Sequence, residues 1–114
     1  MTITASRTWA DLCAHRQEIE KTHLRDLFAG DPERAGSLSL SFDDIFYDFS
    51  KQRLTAETLG LLGKLADEAF LPEWIERMFA GDRINVSEGR SVLHVALRRF
   101  SAPFPNGQFD VMAD

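Results

Sequence analysis

Five residues in one short window, Asn85, Ser87, Glu88, Arg90 and His94, bring together an amide, a hydroxyl, a carboxylate, a guanidinium and an imidazole. Carboxylates do acid–base work when two of them face each other across a cleft with separated pKa values. Here the polar groups instead gather around the expected start of one helix. A guanidinium beside a carboxylate forms a fork to oxygen acceptors, which pins a loop-to-helix junction. Structural pinning is therefore the expected role of all five. His94 sits among apolar residues with Arg90 four positions earlier, and with no paired nucleophile it reads as a hydrogen-bonded structural histidine.

Other sites look weaker. A phosphate cradle needs backbone amides crowded into a glycine-rich turn or a helix N-terminus. Gly60-Leu61-Leu62-Gly63 has two glycines, but they lie inside an amphipathic helical pattern, where packing or simple tolerance explains them. Ser87 opens a helix whose N-terminus already carries Glu88. Cys13, His15 and His23 are the tempting metal group, yet residues two apart on a helix point about 200° apart, and His15 to His23 exceeds two turns. Asp43-Asp44 is better read as a turn, because Asp side chains satisfy nearby backbone donors. No catalytic, cofactor-binding or metal-ligating residue is assigned.

The elements that must carry these residues are mostly helical. Thr8 is placed to cap a first helix with apolar Trp9, Leu12, Cys13, Ile19, Leu24, Leu27 and Phe28, ended by Gly30-Asp31-Pro32. Residues 37–42 alternate polar and apolar as a half-buried strand does, and Ile45-Phe46-Tyr47-Asp48-Phe49 supplies a second strand of a small hairpin. Thr55 caps the next helix, with Leu59, Leu62, Ala66, Ala69 and Phe70 on one side. Leu71-Pro72 breaks it, Glu73 to Phe79 restarts it with Trp74, Ile75, Met78 and Phe79 burying together, and Gly81 stops it. Ser87 caps a final helix with Val92, Leu93, Ala96, Leu97 and Phe100 on its apolar face. Residues 101–114, with two prolines and Asn106-Gly107, read as an irregular tail. The fold class is mainly α with one small β-hairpin.

Composition narrows the functional classes. The chain has 114 residues, the length of one small domain, and is 44% hydrophobic and 27% charged, which suits a folded protein. Its net charge is −5, with nine acidic against five basic side chains in the first fifty residues, so a nucleic-acid partner is not expected. Cys13 is the only cysteine, which excludes an internal disulfide and fits a reducing compartment. No secretory signal or membrane-length apolar run is present, and a cytoplasmic location without a membrane partner is expected.

Four segments carry a family resemblance. Met78-Phe79-Ala80-Gly81-Asp82-Arg83-Ile84-Asn85-Val86-Ser87-Glu88-Gly89-Arg90-Ser91-Val92-Leu93-His94-Val95-Ala96-Leu97-Arg98 resembles the N-terminal region of glucose-6-phosphate isomerases. Phe42-Asp43-Asp44 through Asp48-Phe49-Ser50-Lys51-Gln52-Arg53-Leu54-Thr55-Ala56-Glu57-Thr58-Leu59 is similar to that family's D-Y-S-K-N-x-[IL]-T-x-E-x-L stretch, and Leu24-Arg25-Asp26-Leu27-Phe28 through Arg34 is similar to an earlier one. Gln108-Phe109-Asp110-Val111-Met112 resembles its G-x-D-V-M close. Phe49, Gln52 and Ala35 depart from the usual Tyr, Asn and Phe, as does Arg98-Arg99-Phe100-Ser101 from the stretch that usually follows the final helix.

The resemblance implies an enzyme that interconverts glucose 6-phosphate and fructose 6-phosphate in glycolysis and gluconeogenesis, without metal or organic cofactor. It implies that residues 1–114 are the N-terminal segment, truncated before the sugar-isomerase domains, of a homodimeric α/β enzyme. The catalytic groups belong to those downstream domains, so this chain alone is expected to be inactive and to bind sugar phosphate only as part of the full-length protein. Its partners would be the downstream domains, and a large exposed apolar patch is the expected symptom. The alternative is a stand-alone helical protein-interaction module.

Overall fold

The computed structural model describes residues 2–96. The chain divides into two units, Met1–Glu68 and Ala69–Asp114. A 3-10 turn (Ile3–Ala5) leads the first unit into α1 (Arg7–Ile19), α2 (Leu24–Gly30), α3 (Arg34–Ser37), β1 (Ser39–Phe42), β2 (Ile45–Asp48) and α4 (Ala56–Glu68). The second unit is described through α5 (Leu71–Ala80) and the segment after it.

α1 begins two residues earlier than the sequence reading places it. Ser6 is the cap, its hydroxyl accepting from the Trp9 N–H at 3.2 Å. Thr8 is freed for another task, and its hydroxyl donates to Glu68 Oε1 at 2.6 Å. Farther along, His15 Nε2 lies 2.6 Å from Thr58 Oγ1. The start of α1 therefore meets the end of α4, and the two helices run antiparallel.

The contact reveals which stripe is buried. On α1 it is Thr8, Leu12, His15 and Ile19, spaced as one helical face, while Trp9 and Cys13 are exposed. On α4 the facing positions are Thr58, Leu61, Leu65 and Glu68, and Leu59 and Leu62 point to solvent. On α1 Leu12 and Ile19 belong to the stripe as expected while Thr8 and His15 take the places of Trp9 and Cys13, and on α4 the stripe is rotated by about one residue, because polar members belong to the contact and an apolar count omits them.

The expected single helix over residues 9–29 is also two helices. Between Cys13 and Leu24 only Ile19 among the expected apolar positions continues the stripe, so there is little packing to carry the helix onward. His23 then takes an extended conformation, and its Nδ1 accepts from the Arg25 N–H at 3.1 Å to cap α2. Arg53 Nη1 reaches the Glu20 carbonyl at the end of α1, at 3.4 Å. α2 stops at Gly30 before Asp31-Pro32, as expected.

The hairpin is present with the register Ser39↔Asp48, Leu40↔Tyr47, Ser41↔Phe46 and Phe42↔Ile45. Asp43 takes φ 48°, a left-handed value that aspartate tolerates in a two-residue loop. Neither strand is half-buried: every residue of the hairpin except Ser39 is exposed.

α5 has Pro72 in its first turn and ends on Gly81 at φ 81°, whose N–H reaches the Arg77 and Met78 carbonyls. Trp74 and Met78 are half-buried, but Ile75 and Phe79 are exposed with Leu71 on the same face. The expected helix from Ser87 does not form over residues 87–96. A turn closes there instead, with mutual bonds between Asn85 and Arg90 and with Gly89 at φ 63°. Leu97, Phe100 and the expected tail lie outside the described residues.

Gly60 and Gly63 lie in α4 with open space where a Cβ would stand. They are tolerated rather than required by packing within this chain. Gly60→Ala and Gly63→Ala should each stabilise it by about 0.5–1 kcal/mol, read from urea unfolding midpoints.

Candidate functional site

A buried polar site is built around Arg34, which is 3% exposed. Pro32 and the Asp31 turn set up α3: the Asp31 carboxylate accepts from the Glu33 N–H at 3.0 Å, and its carbonyl accepts from the Arg34 N–H at 3.2 Å. From the first position of α3 the guanidinium reaches the loop between β2 and α4. Nε donates to the Ser50 carbonyl at 3.0 Å, Nη2 to Gln52 at 2.8 Å and Nη1 to Leu54 at 2.9 Å. Its plane sits over the Phe28 ring, 5.3 Å from the centroid.

The fork geometry of arginine makes this possible, since three nitrogens at fixed angles match three alternate carbonyls. No carboxylate pairs with Arg34 among the described residues. Carbonyl dipoles and an aromatic face solvate the charge instead. Ser50 is buried in the same place, and its N–H donates to Asp48 Oδ1 at 2.8 Å. The Ser50 hydroxyl and then this N–H hold the Asp48 carboxyl below its usual range.

A cleft of about 370 Å³ opens beside the clasp, with Asp26, Asp31, Arg34, Ser37 and Thr55 among its walls. It has neither a candidate nucleophile–base pair nor an electrophilic donor set aimed into open space, because the inward N–H groups of Arg34 are engaged by carbonyls. The arrangement is suited to holding a loop, and no bond-making chemistry follows from it.

The polar groups of the second unit's window bond to one another in a turn, where a helix start was expected. Ser87 Oγ donates to Asn85 Oδ1 at 3.0 Å, and Asn85 Nδ2 donates to Glu88 Oε2 at 3.2 Å. Arg90 joins through its backbone, its N–H donating to the Asn85 carbonyl at 3.2 Å and its carbonyl accepting from the Asn85 N–H at 3.0 Å. Side-chain bonds of this local kind compete with helix formation, which accounts for a turn where a cap was expected. His94 is exposed four residues on. Ahead of the turn, Arg77 stacks on Trp74 at 4.6 Å and donates to Asp82 Oδ2 at 3.1 Å, and Ser91 Oγ donates to the Gly81 carbonyl at 2.6 Å.

Cys13, His15 and His23 do not converge: Cys13 is exposed, His15 is committed to the α4 contact near Glu57 and Thr58, and His23 caps α2. Among the described residues no group of three or more His, Cys, Asp or Glu is arranged to hold a metal, and no helix is long and apolar enough to cross a membrane.

Comparison with known proteins decides the family. The family model for phosphoglucose isomerase matches residues 48–114. A cytosolic glucose-6-phosphate isomerase of Oenothera sinuata var. hirsuta is 51% identical over 96 residues, that of Frankia casuarinae 53%, and that of a Shewanella species 56%. The chain belongs to the phosphoglucose isomerase family. Each of these alignments covers 84% of this chain and 17% of the relative, so the chain spans about a sixth of the length of the curated isomerases it matches. Within this family member, the clasp joins two of the segments that carry the resemblance: Arg34 closes the first and Ser50 to Leu54 lie in the second.

Arg34 escaped assignment from sequence because its partners are backbone carbonyls 16 to 20 positions away, which no side-chain motif encodes. The available hint was a lone arginine two residues after a proline turn. Replacing Arg34 with Ala should cost about 3–5 kcal/mol, as three carbonyls and a ring lose their partner. Arg34→Lys should recover less than half of that, because one ammonium cannot span the fork. Urea unfolding, together with hydrogen exchange at Gln52 and Leu54, measures both.

The Thr8 hydroxyl, with that of Ser6, holds the Glu68 carboxyl below its usual range. Such a group contributes stability above the ordinary glutamate pKa, and the contribution is lost as pH falls through the lowered folded value. Thr8→Val should therefore destabilise the chain at pH 7 and flatten its stability-versus-pH curve below about pH 4.5. Equal acid slopes for the two proteins, measured by urea unfolding across pH 3–7, would contradict this account of Glu68.

Proposed function

We propose that this chain is the N-terminal segment of a glucose-6-phosphate isomerase, the enzyme interconverting glucose 6-phosphate and fructose 6-phosphate. The observation that carries the reading is 51–56% identity over most of this chain to proteins so named, of which it spans 17%. In the full-length enzyme the segment acts as a structural arm on the downstream sugar-isomerase domains of a cytoplasmic homodimer. The Asn85, Ser87, Glu88, Arg90 and His94 window keeps a positioning role. Sugar phosphate is bound by the downstream domains, and residues 1–114 alone do not turn over substrate. Support for that last point is chemical: the Arg34 cleft and the Asn85 turn spend their polar groups on the backbone and on each other.

A stand-alone interaction module is the second reading, favoured by the exposed Leu59, Leu62, Leu71, Ile75 and Phe79. One experiment separates the two. Residues 1–114 are exchanged for the corresponding segment of the Frankia casuarinae isomerase, and aldose–ketose turnover is assayed. The isomerase reading expects a chimera within about tenfold of its parent in kcat/KM, with no turnover by residues 1–114 alone. A folded but inactive chimera would favour the module.

A further inference from the structure

The hairpin has one face that nothing in the described structure covers. Residues directly opposite in an antiparallel pair share a face, so the register places Leu40, Phe42, Ile45 and Tyr47 together and Ser39, Ser41, Phe46 and Asp48 on the other side. The first set is wholly apolar apart from the Tyr47 hydroxyl, and its members are 59–75% exposed. Tyr47 extends the surface by stacking on Phe49, with centroids 5.4 Å apart. The second set is polar except for Phe46. This is the alternation of a sheet that is covered on one side and wet on the other.

Two magnitudes narrow what covers it. A two-stranded hairpin is marginal by itself in water, so the face needs an apolar cover to be worth ordering. Four such side chains offer on the order of 500 Å², at the top of the range for a monomer's largest patch but below the roughly 800 Å² per partner of a stable two-chain complex. A second copy packing through this face alone would be held weakly. A tethered partner has no such requirement, because the linkage supplies a local concentration of about millimolar. The chain spans 17% of its relatives' length, which leaves most of such a polypeptide to provide the cover.

We infer that the Leu40, Phe42, Ile45 and Tyr47 face is the docking surface of this segment for the downstream isomerase domains of the same polypeptide. The inference rests on the proposed function and adds the surface to it. The occupant must present an apolar helix or sheet face of similar size, free of unpaired charge.

The test compares hydrogen exchange over residues 39–48 in the isolated chain and in the chimera described above. Docking slows exchange in the chimera by at least about tenfold relative to the isolated chain at every protein concentration. Phe42→Ser combined with Ile45→Ser removes that gain, whereas Phe46→Ser, on the opposite face, retains it. Equal exchange in the two proteins, or an equal effect of both variants, overturns the inference. So does slow exchange in the isolated chain that grows with its concentration, which would assign the face to a second copy. Turnover is read separately: an active chimera with an unprotected hairpin overturns this surface and leaves the isomerase reading standing, while a protected hairpin in an inactive chimera does the reverse.

Discussion

The first unit depends on one buried guanidinium. Arg34 ties α3, the Phe28 ring of α2 and the loop that delivers the chain into α4, and it does so through carbonyls rather than a counter-charge. Losing the three bonds is expected to cost about 3–5 kcal/mol, more than the about 1.5–3 kcal/mol from burying a side chain such as Leu38, which lies beside them at 5% exposure. The loop from Ser50 to Leu54 has no regular ladder of its own, and the arginine satisfies its carbonyls in place of one.

The α1–α4 contact follows a related logic. Thr8 with Glu68 sits at one end of the antiparallel pair and His15 with Thr58 toward the other, with Leu12, Leu61 and Leu65 between them and Ile19 one turn beyond His15. Polar pairs of this kind fix register, because sliding one helix past the other would leave buried donors and acceptors unmet. They supply little hydrophobic free energy. The apolar residues that could supply more, on the hairpin and on the outer faces of α4 and α5, remain in solvent. A segment so specified in its polar contacts and so open in its apolar ones suits the proposed role of an arm completed by other domains.

Family and site speak to different questions here. Membership is secured by similarity along the sequence, whereas the local geometry shows polar groups engaged in holding turns, loops and helix ends. A fold or a family does not place chemistry in every part of a chain.

Much of the element order was legible from residue types alone. Gly30-Asp31-Pro32 ends α2, Asp43-Asp44 turns the hairpin, Pro72 starts α5 and Gly81 stops it, because each of these residues limits the backbone locally whatever surrounds it. The segment resemblances, too, needed nothing beyond the sequence. Tertiary structure decided what depends on partners distant in the chain. It admitted Thr8 and His15 to the buried stripe of α1 and shifted that of α4 to Thr58, Leu61 and Leu65, it split the first helix at His23, and it left the hairpin bare. It also gave Arg34 three carbonyls to hold. The Asn85–Arg90 turn, by contrast, is made by short-range bonds that compete with the capped helix expected there. Local rules reach a few residues along the backbone, and a side chain's partner across the fold is set by packing that no local pattern records.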